Sequence, residues 1–197
     1  MKTFSLIAFA AILAACSAKP APQDAFMDKI QTYCGKAYAG KLVSTDTQDA
    51  DMAGANMVMH VRECSDTEVK ISFNVDDNRS RTWVMTDTGE GLRLKHDHRH
   101  EDGSEDAVTQ YGGDTDHPGT DLRQNFPVDQ YSIDMFNENG LEVSTTNVWA
   151  FYFDDDQETL TYEMTRPYKV EPKTRLFQVQ FDMSEEIATP DASWGHE

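Results

Sequence analysis

From about Lys41 onward the chain alternates between apolar and polar positions with a period of two. Val69, Ile71, Phe73 and Val75 interleave with Glu68, Lys70, Ser72 and Asn74. Leu141, Val143, Trp149, Phe151 and Phe153 share one parity along a run that follows Asn139-Gly140, and Leu160, Tyr162 and Met164 share another after the turn at Asp154-Asp155-Asp156. Phe177, Val179 and Phe181 complete the series. Segments with one apolar and one polar face, joined by short turns, predict an antiparallel meander of roughly nine or ten strands. Sequential hairpins with no protected edge favour closure into an up-and-down barrel. Ahead of the meander, Phe26, Met27, Ile30 and Tyr33 fall at helical spacing, which predicts a short helix over 24–33 with Asp24 as N-cap and Gly35 just beyond its end. Little further helix signal follows until the extreme C-terminus. The fold expectation is therefore mainly β, a meander closed into a barrel, with one short N-terminal helix.

The first residues follow a different rule. Lys2 precedes an apolar run from Phe4 to Ala14 broken only by Ser5. That run falls short of the ~20 apolar residues that span a bilayer, and it reads as a signal peptide over residues 1–15. Leu13-Ala14-Ala15-Cys16 resembles the lipobox of bacterial lipoproteins. The resemblance implies diacylglyceryl attachment to Cys16, cleavage in front of it, and anchoring in a membrane by lipid, with two or more chains needed for stable attachment. Ser17, where an Asp would direct retention at the inner membrane, implies an outer-membrane address facing the periplasm. Residues 16–23, with Pro20 and Pro22, have the composition of a tether.

Composition narrows the rest. The chain of 197 residues has a net charge of −18. Lys2 is the only charged residue in the leader, so the mature chain carries −19. Such a surface repels nucleic acid and anionic headgroups, which excludes nucleic-acid binding. Enough Phe, Tyr, Trp, Val and Ile remain to build one core over residues 24–190, followed by a flexible tail at 191–197. Two cysteines are left after lipidation, Cys34 and Cys64, and an exported chain meets an oxidising compartment. A disulfide between them is expected, contributing about 3 kcal/mol in the chain-entropy model.

A helix followed by a meander around an interior resembles the lipocalin-like (calycin) barrels. The resemblance covers most of residues 24–183 and rests on pattern. It implies an internal pocket for a small ligand.

Strand register can be followed through three strands. With Asp76-Asp77-Asn78 as a three-residue hairpin loop and Asn78 left-handed, Val75 opposes Arg79, Phe73 opposes Arg81, Ile71 opposes Trp83 and Val69 opposes Met85. A turn at Thr88-Gly89 then sets Met85 opposite Leu92, Trp83 opposite Leu94, Arg81 opposite His96 and Arg79 opposite His98. One face collects Val69, Ile71, Phe73, Trp83, Met85, Leu92 and Leu94, and it continues at one end into Arg79, Arg81, His96, His98 and His100. Residues 79–100 carry a net charge of +2 within a chain this acidic. Arginines beside imidazoles at the end of an apolar pocket suit a carboxylate or phosphate. Arg79, Arg81, Trp83, His96 and His98 are the candidate ligand-binding set. The competing reading is a solvated hairpin tip, since a one-residue slip reverses every side chain.

His96, His98 and His100 also have the alternate spacing of a metal or haem site, although the neighbouring arginines oppose a cation. Asp49-x-Asp51 and Asp114-x-Asp116 each begin like a calcium loop and then lack its third oxygen ligand. His100-Glu101 begins like a zinc-protease motif, with Ser104 where the second His belongs. No nucleophile elbow and no phosphate-cradling glycine loop occur. The reading favoured by the residues is a lipid-anchored envelope protein without catalysis or cofactor, binding a small amphipathic or anionic ligand inside a barrel. The alternatives are an envelope interaction module whose interior is packed core, and a His-based metal or haem binder.

Overall fold

A computed structural model describes residues 20–166 and 175–196; Cys16, Ser17 and the leader lie outside them. Ten strands are present among the described residues. They are β1 (Ala37–Leu42), β2 (Met57–Cys64), β3 (Glu68–Val75), β4 (Asn78–Asp87), β5 (Leu92–His98), β6 (Tyr111–Asp114), β7 (Arg123–Pro127), β8 (Val148–Phe153), β9 (Thr159–Arg166) and β10 (Arg175–Ile187). All form one antiparallel sheet in the order β6-β5-β4-β3-β2-β1-β10-β9-β8-β7. Consecutive strands are neighbours except where β1 and β10 join and where β6 and β7 meet, so the meander closes almost completely on itself.

The β6–β7 seam is short of ladder bonds and is held by other groups. Asp129 N–H donates to Gly112 O at 2.9 Å, Gly112 N–H donates to Ser132 Oγ at 2.8 Å, and that hydroxyl returns a bond to Gly112 O at 3.2 Å. A Cβ on Gly113 would lie 1.8 Å from Pro127 O, so the backbones approach this closely only because residue 113 has no side chain.

One end of the barrel is plugged. Helix α1 (Pro22–Gln31) buries Phe26, Met27 and Ile30 against the interior, with the Phe26 ring 6.0 Å from that of Phe153. It begins two residues before the expected Asp24, at Ala21-Pro22, because Pro22 in the first turn needs no N–H partner and supplies the helical φ. Asp24 is an acidic first-turn residue and not the cap. The Cys34–Cys64 disulfide is formed, with Cα atoms 6.2 Å apart, and ties the chain just after the plug to the end of β2.

At the opposite end three differences from the sequence pattern shape the mouth. A second helix, α2 (Gln130–Glu138), packs beside β6; Asp129 caps it by accepting from Ser132 N at 2.8 Å. Leu141 and Val143, which alternation places in a strand, instead lie at a 3₁₀ turn over Glu142–Ser144, and β8 starts at Val148. The β3–β4 loop is a two-residue turn, Asp76-Asp77, with Val75 opposite Asn78 and the positive φ at Asp76.

Residues 191–196, expected as a flexible tail, run over the outer wall. Trp194 N–H bonds Arg79 O at 3.1 Å, and His196 Nε2 lies 3.0 Å from Asp97 Oδ2. Arg62 reaches the His196 carbonyl at 3.2 Å, and Ser193 is buried.

Candidate functional site

The interior is packed from the plug up to the level of Trp83. Its ring stacks on Phe73 at 4.8 Å and meets Tyr162 at 4.4 Å and Phe151 at 5.1 Å, measured between centroids. Beyond this layer, toward the mouth, lies a cavity of about 430 Å³. Trp83, Tyr111, Trp149, Tyr162, Met164 and Phe177 wall it, and Arg81, His96, His98, Arg166 and Arg175 supply its polar groups. That volume suits a small ligand.

Strand register explains which predicted residues reach it. Phe73–Arg81, Ile71–Trp83 and Val69–Met85 are paired as the alternation predicts. Across β4–β5 the pairs are Arg81–His98, Trp83–His96 and Met85–Leu94, two residues from the expected register. The turn spans Thr88 to Gly91 and is closed by Thr88 N–H to Gly91 O at 2.9 Å, which accounts for the extra residues. A two-residue shift preserves parity, so the same side chains face inward.

Arg79 is the exception. Between Phe73–Arg81 and Val75–Asn78 the β4 strand holds one residue more than β3, and this bulge reverses the faces. Arg79 consequently points away from the cavity, donating from Nη1 to Ala192 O at 2.8 Å and lying 3.9 Å from Asp191.

The two imidazoles are built into a hydrogen-bonded pair of phenols. His96 is 2% exposed, with Nδ1 3.0 Å from Tyr111 O and Nε2 2.8 Å from Tyr162 Oη. A carbonyl only accepts, so the proton sits on Nδ1 and the Tyr162 hydroxyl donates to Nε2. His98 Nε2 lies 3.1 Å from Tyr111 Oη. Burial holds His96 neutral, pushing its pKa down to about 3 against the Tyr111 carbonyl that would raise it. Burial and the nearby Arg81 charge push His98 down to about 4. Burial raises Tyr111 to about 12 and lifts Tyr162 well above its ordinary value. These groups are uncharged hydrogen-bonding walls at neutral pH.

Arg81 carries the inner charge. Its Nη1 donates to Asn78 Oδ1 at 3.1 Å, and among the described residues no carboxylate lies within ion-pair distance. Burial lowers its pKa, partly offset by Tyr111 and Tyr162, yet a guanidinium remains charged. At the rim, Arg166 donates from Nε to Asn147 Oδ1 at 2.8 Å and from Nη2 to Ser144 Oγ at 3.1 Å, again with no carboxylate at ion-pair distance among the described residues. Arg175 is different: it forks onto Asp49 and sits 3.2 Å from Asp46, so its charge is balanced. That pairing also withdraws Asp49 from any calcium role.

The metal reading has less to work with. Both ring nitrogens of His96 are engaged, His100 is mostly exposed at the far side of the strand end, and no cluster of three His, Cys, Asp or Glu among the described residues could hold a metal ion. Tyr111, Arg166 and Arg175 are site residues that the residue pattern leaves out. Arg166 continues the inward parity of Leu160, Tyr162 and Met164, and Arg175 that of Phe177, Val179 and Phe181, which is the signal that could have found them. Compared with protein-family models, curated proteins and solved structures, the chain finds no match.

Proposed function

We propose that this chain is a lipid-anchored protein of the bacterial envelope, attached through Cys16 to the outer membrane and facing the periplasm, which binds a small anionic amphiphile in the barrel without catalysis. The reading of the anchor rests on Leu13-Ala14-Ala15-Cys16. The reading of the ligand is carried by one observation: the Arg81 guanidinium lines an aromatic cavity of about 430 Å³ and has no carboxylate partner among the described residues. A buried charge without a counter-charge is costly, and an anionic headgroup entering the cavity would relieve that cost while its apolar body covers Trp83 and Phe177.

The cavity also weighs against the interior as simple packed core. The apolar half of the barrel, from α1 to Trp83, is filled and stabilises the fold; the mouth half is not. Titration with decanoate should change the fluorescence of Trp83 and Trp149, both of which line the cavity. Arg81→Gln should weaken binding by about 1.5–3 kcal/mol, the scale of a charge-assisted hydrogen bond. Saturable binding that is unchanged in Arg81→Gln, or no binding at all, refutes the proposed site.

A further inference from the structure

Two guanidinium groups of the cavity, Arg81 and Arg166, have no carboxylate at ion-pair distance among the described residues, and they stand on opposite walls. In the ten-strand ring β4 and β9 are five strands apart in either direction, so Arg81 and Arg166 face each other across the mouth. They also stand at different depths. Trp83 and Tyr162 touch across the interior and mark a common level. Arg81 is two residues beyond Trp83 on β4, whereas Arg166 is four residues beyond Tyr162 on β9. At ~3.4 Å per residue along a tilted strand, Arg166 lies roughly 5–7 Å nearer the opening.

The other charges among the described residues lie beyond ion-pair distance of both groups; Asp46 acts on Arg166 at longer range, and the Arg175 charge opposes it. Arg175 is neutralised by Asp49 and Asp46. Asp106, the other carboxylate lining the cavity, accepts from Val108 N at 2.8 Å and lies 4.0 Å from His100 Nε2. Arg81 uses one N–H on Asn78, and Arg166 uses two on Asn147 and Ser144, so each guanidinium keeps donors for a ligand. Between them lies an aromatic and thioether wall of Trp149, Tyr162, Met164 and Phe177.

We propose that the ligand carries two anionic groups on an apolar body, one bound by Arg81 at the inner level and the other by Arg166 at the rim. This rests on the cavity being an anion-binding pocket and names the class of ligand it selects. A monoanion satisfies one guanidinium and leaves the other without an anion at ion-pair distance, whereas a dianion of matching length satisfies both.

The test compares decanoate with decanedioate, and shorter and longer pairs from hexanoate and hexanedioate upward, on the full mature protein by calorimetry and tryptophan fluorescence. The expected result is binding of the best dicarboxylate about tenfold tighter than its monocarboxylate. Arg166→Gln should bring the two to parity, since the second carboxylate then meets no guanidinium. Equal affinities in the unsubstituted protein overturn the dianion proposal and leave the anion pocket standing. A dicarboxylate preference that survives Arg166→Gln also overturns it. No binding of either series overturns both readings. The unsubstituted comparison decides the question even where Arg166→Gln disturbs the contacts to Asn147 and Ser144.

Discussion

Acidification should destabilise the barrel well above the pH at which carboxylates begin to protonate, and His96 and His98 are the reason. In the unfolded chain both imidazoles titrate near 6.5; in the fold burial holds them at about 3 and about 4. As pH falls through 6.5 the unfolded chain therefore takes up two protons that the folded barrel refuses. Stability is at its full value above about pH 7.5 and declines toward lower pH until the folded values are reached. Each refused proton costs about 1.4 kcal/mol per pH unit, so the pair costs about 2.5 kcal/mol per unit between about pH 5 and 6, where the unfolded imidazoles are mostly charged. Against a typical domain stability of ~5–15 kcal/mol this is readily measured. Urea unfolding at several pH values over that window gives the slope directly. His98→Gln, which keeps a polar partner beside Tyr111, should roughly halve it. His60 is also lowered by burial and by Arg62, but it is present in both proteins and cancels in the difference. Glu63 and Asp129, both held below the ordinary carboxylate range, act only at lower pH. A stability that is flat between pH 5 and 6.5, or a slope unchanged in His98→Gln, would refute the burial of neutral imidazoles at the mouth.

Two other outcomes follow from the covalent chemistry of the cysteines. Cys16→Ser should abolish incorporation of labelled palmitate and release the protein from the membrane fraction; a substituted protein that is still labelled and sedimenting would end the lipoprotein reading. Non-reducing mass spectrometry of the mature chain should find Cys34 linked to Cys64, and the double Cys→Ser variant should lose about 3 kcal/mol of stability. Free alkylatable thiols at both positions would contradict the linkage.

Alternation made the barrel legible because an antiparallel sheet with a buried inner face must place apolar residues at every second position. Phe151 and Phe153, Leu160 and Tyr162, and Phe177, Val179 and Phe181 are all inward and buried. Parity carries no information about local length, and that is where the pattern misleads. One extra residue in β4 sends Arg79 to the outer wall, while two extra residues in the Thr88–Gly91 turn change the partner of Arg81 without changing its face. The α2 segment escapes the pattern because only Met135 and Phe136, with the Ser132 hydroxyl beside them, are buried along it. Its signal lies in capping, through Asp129 at the start and Asn139-Gly140 after the end. Leu141 and Val143 mimic the next strand by parity alone; Val143 is 62% exposed.

The mouth follows from the same alternation read to its limit. On β4, β9 and β10 the inward series runs through large apolar residues and then reaches Arg81, Arg166 and Arg175, all at the end of the barrel opposite α1. A core position adjoining the apolar layer of Trp83 and Tyr162 would be filled by another apolar side chain if stability alone were served, because an unpaired buried guanidinium loses more hydration than it recovers. Among the described residues only Arg175 of these three has carboxylates at ion-pair distance, Asp49 and Asp46. Arg81 and Arg166 are held in place by neutral oxygens from Asn78, Asn147 and Ser144, which orient a guanidinium without cancelling its charge. The barrel is thus plugged and cross-linked at the α1 end, where Cys34–Cys64 fixes the helix, and left electrostatically incomplete at the other. An anionic ligand is the group we propose to complete it.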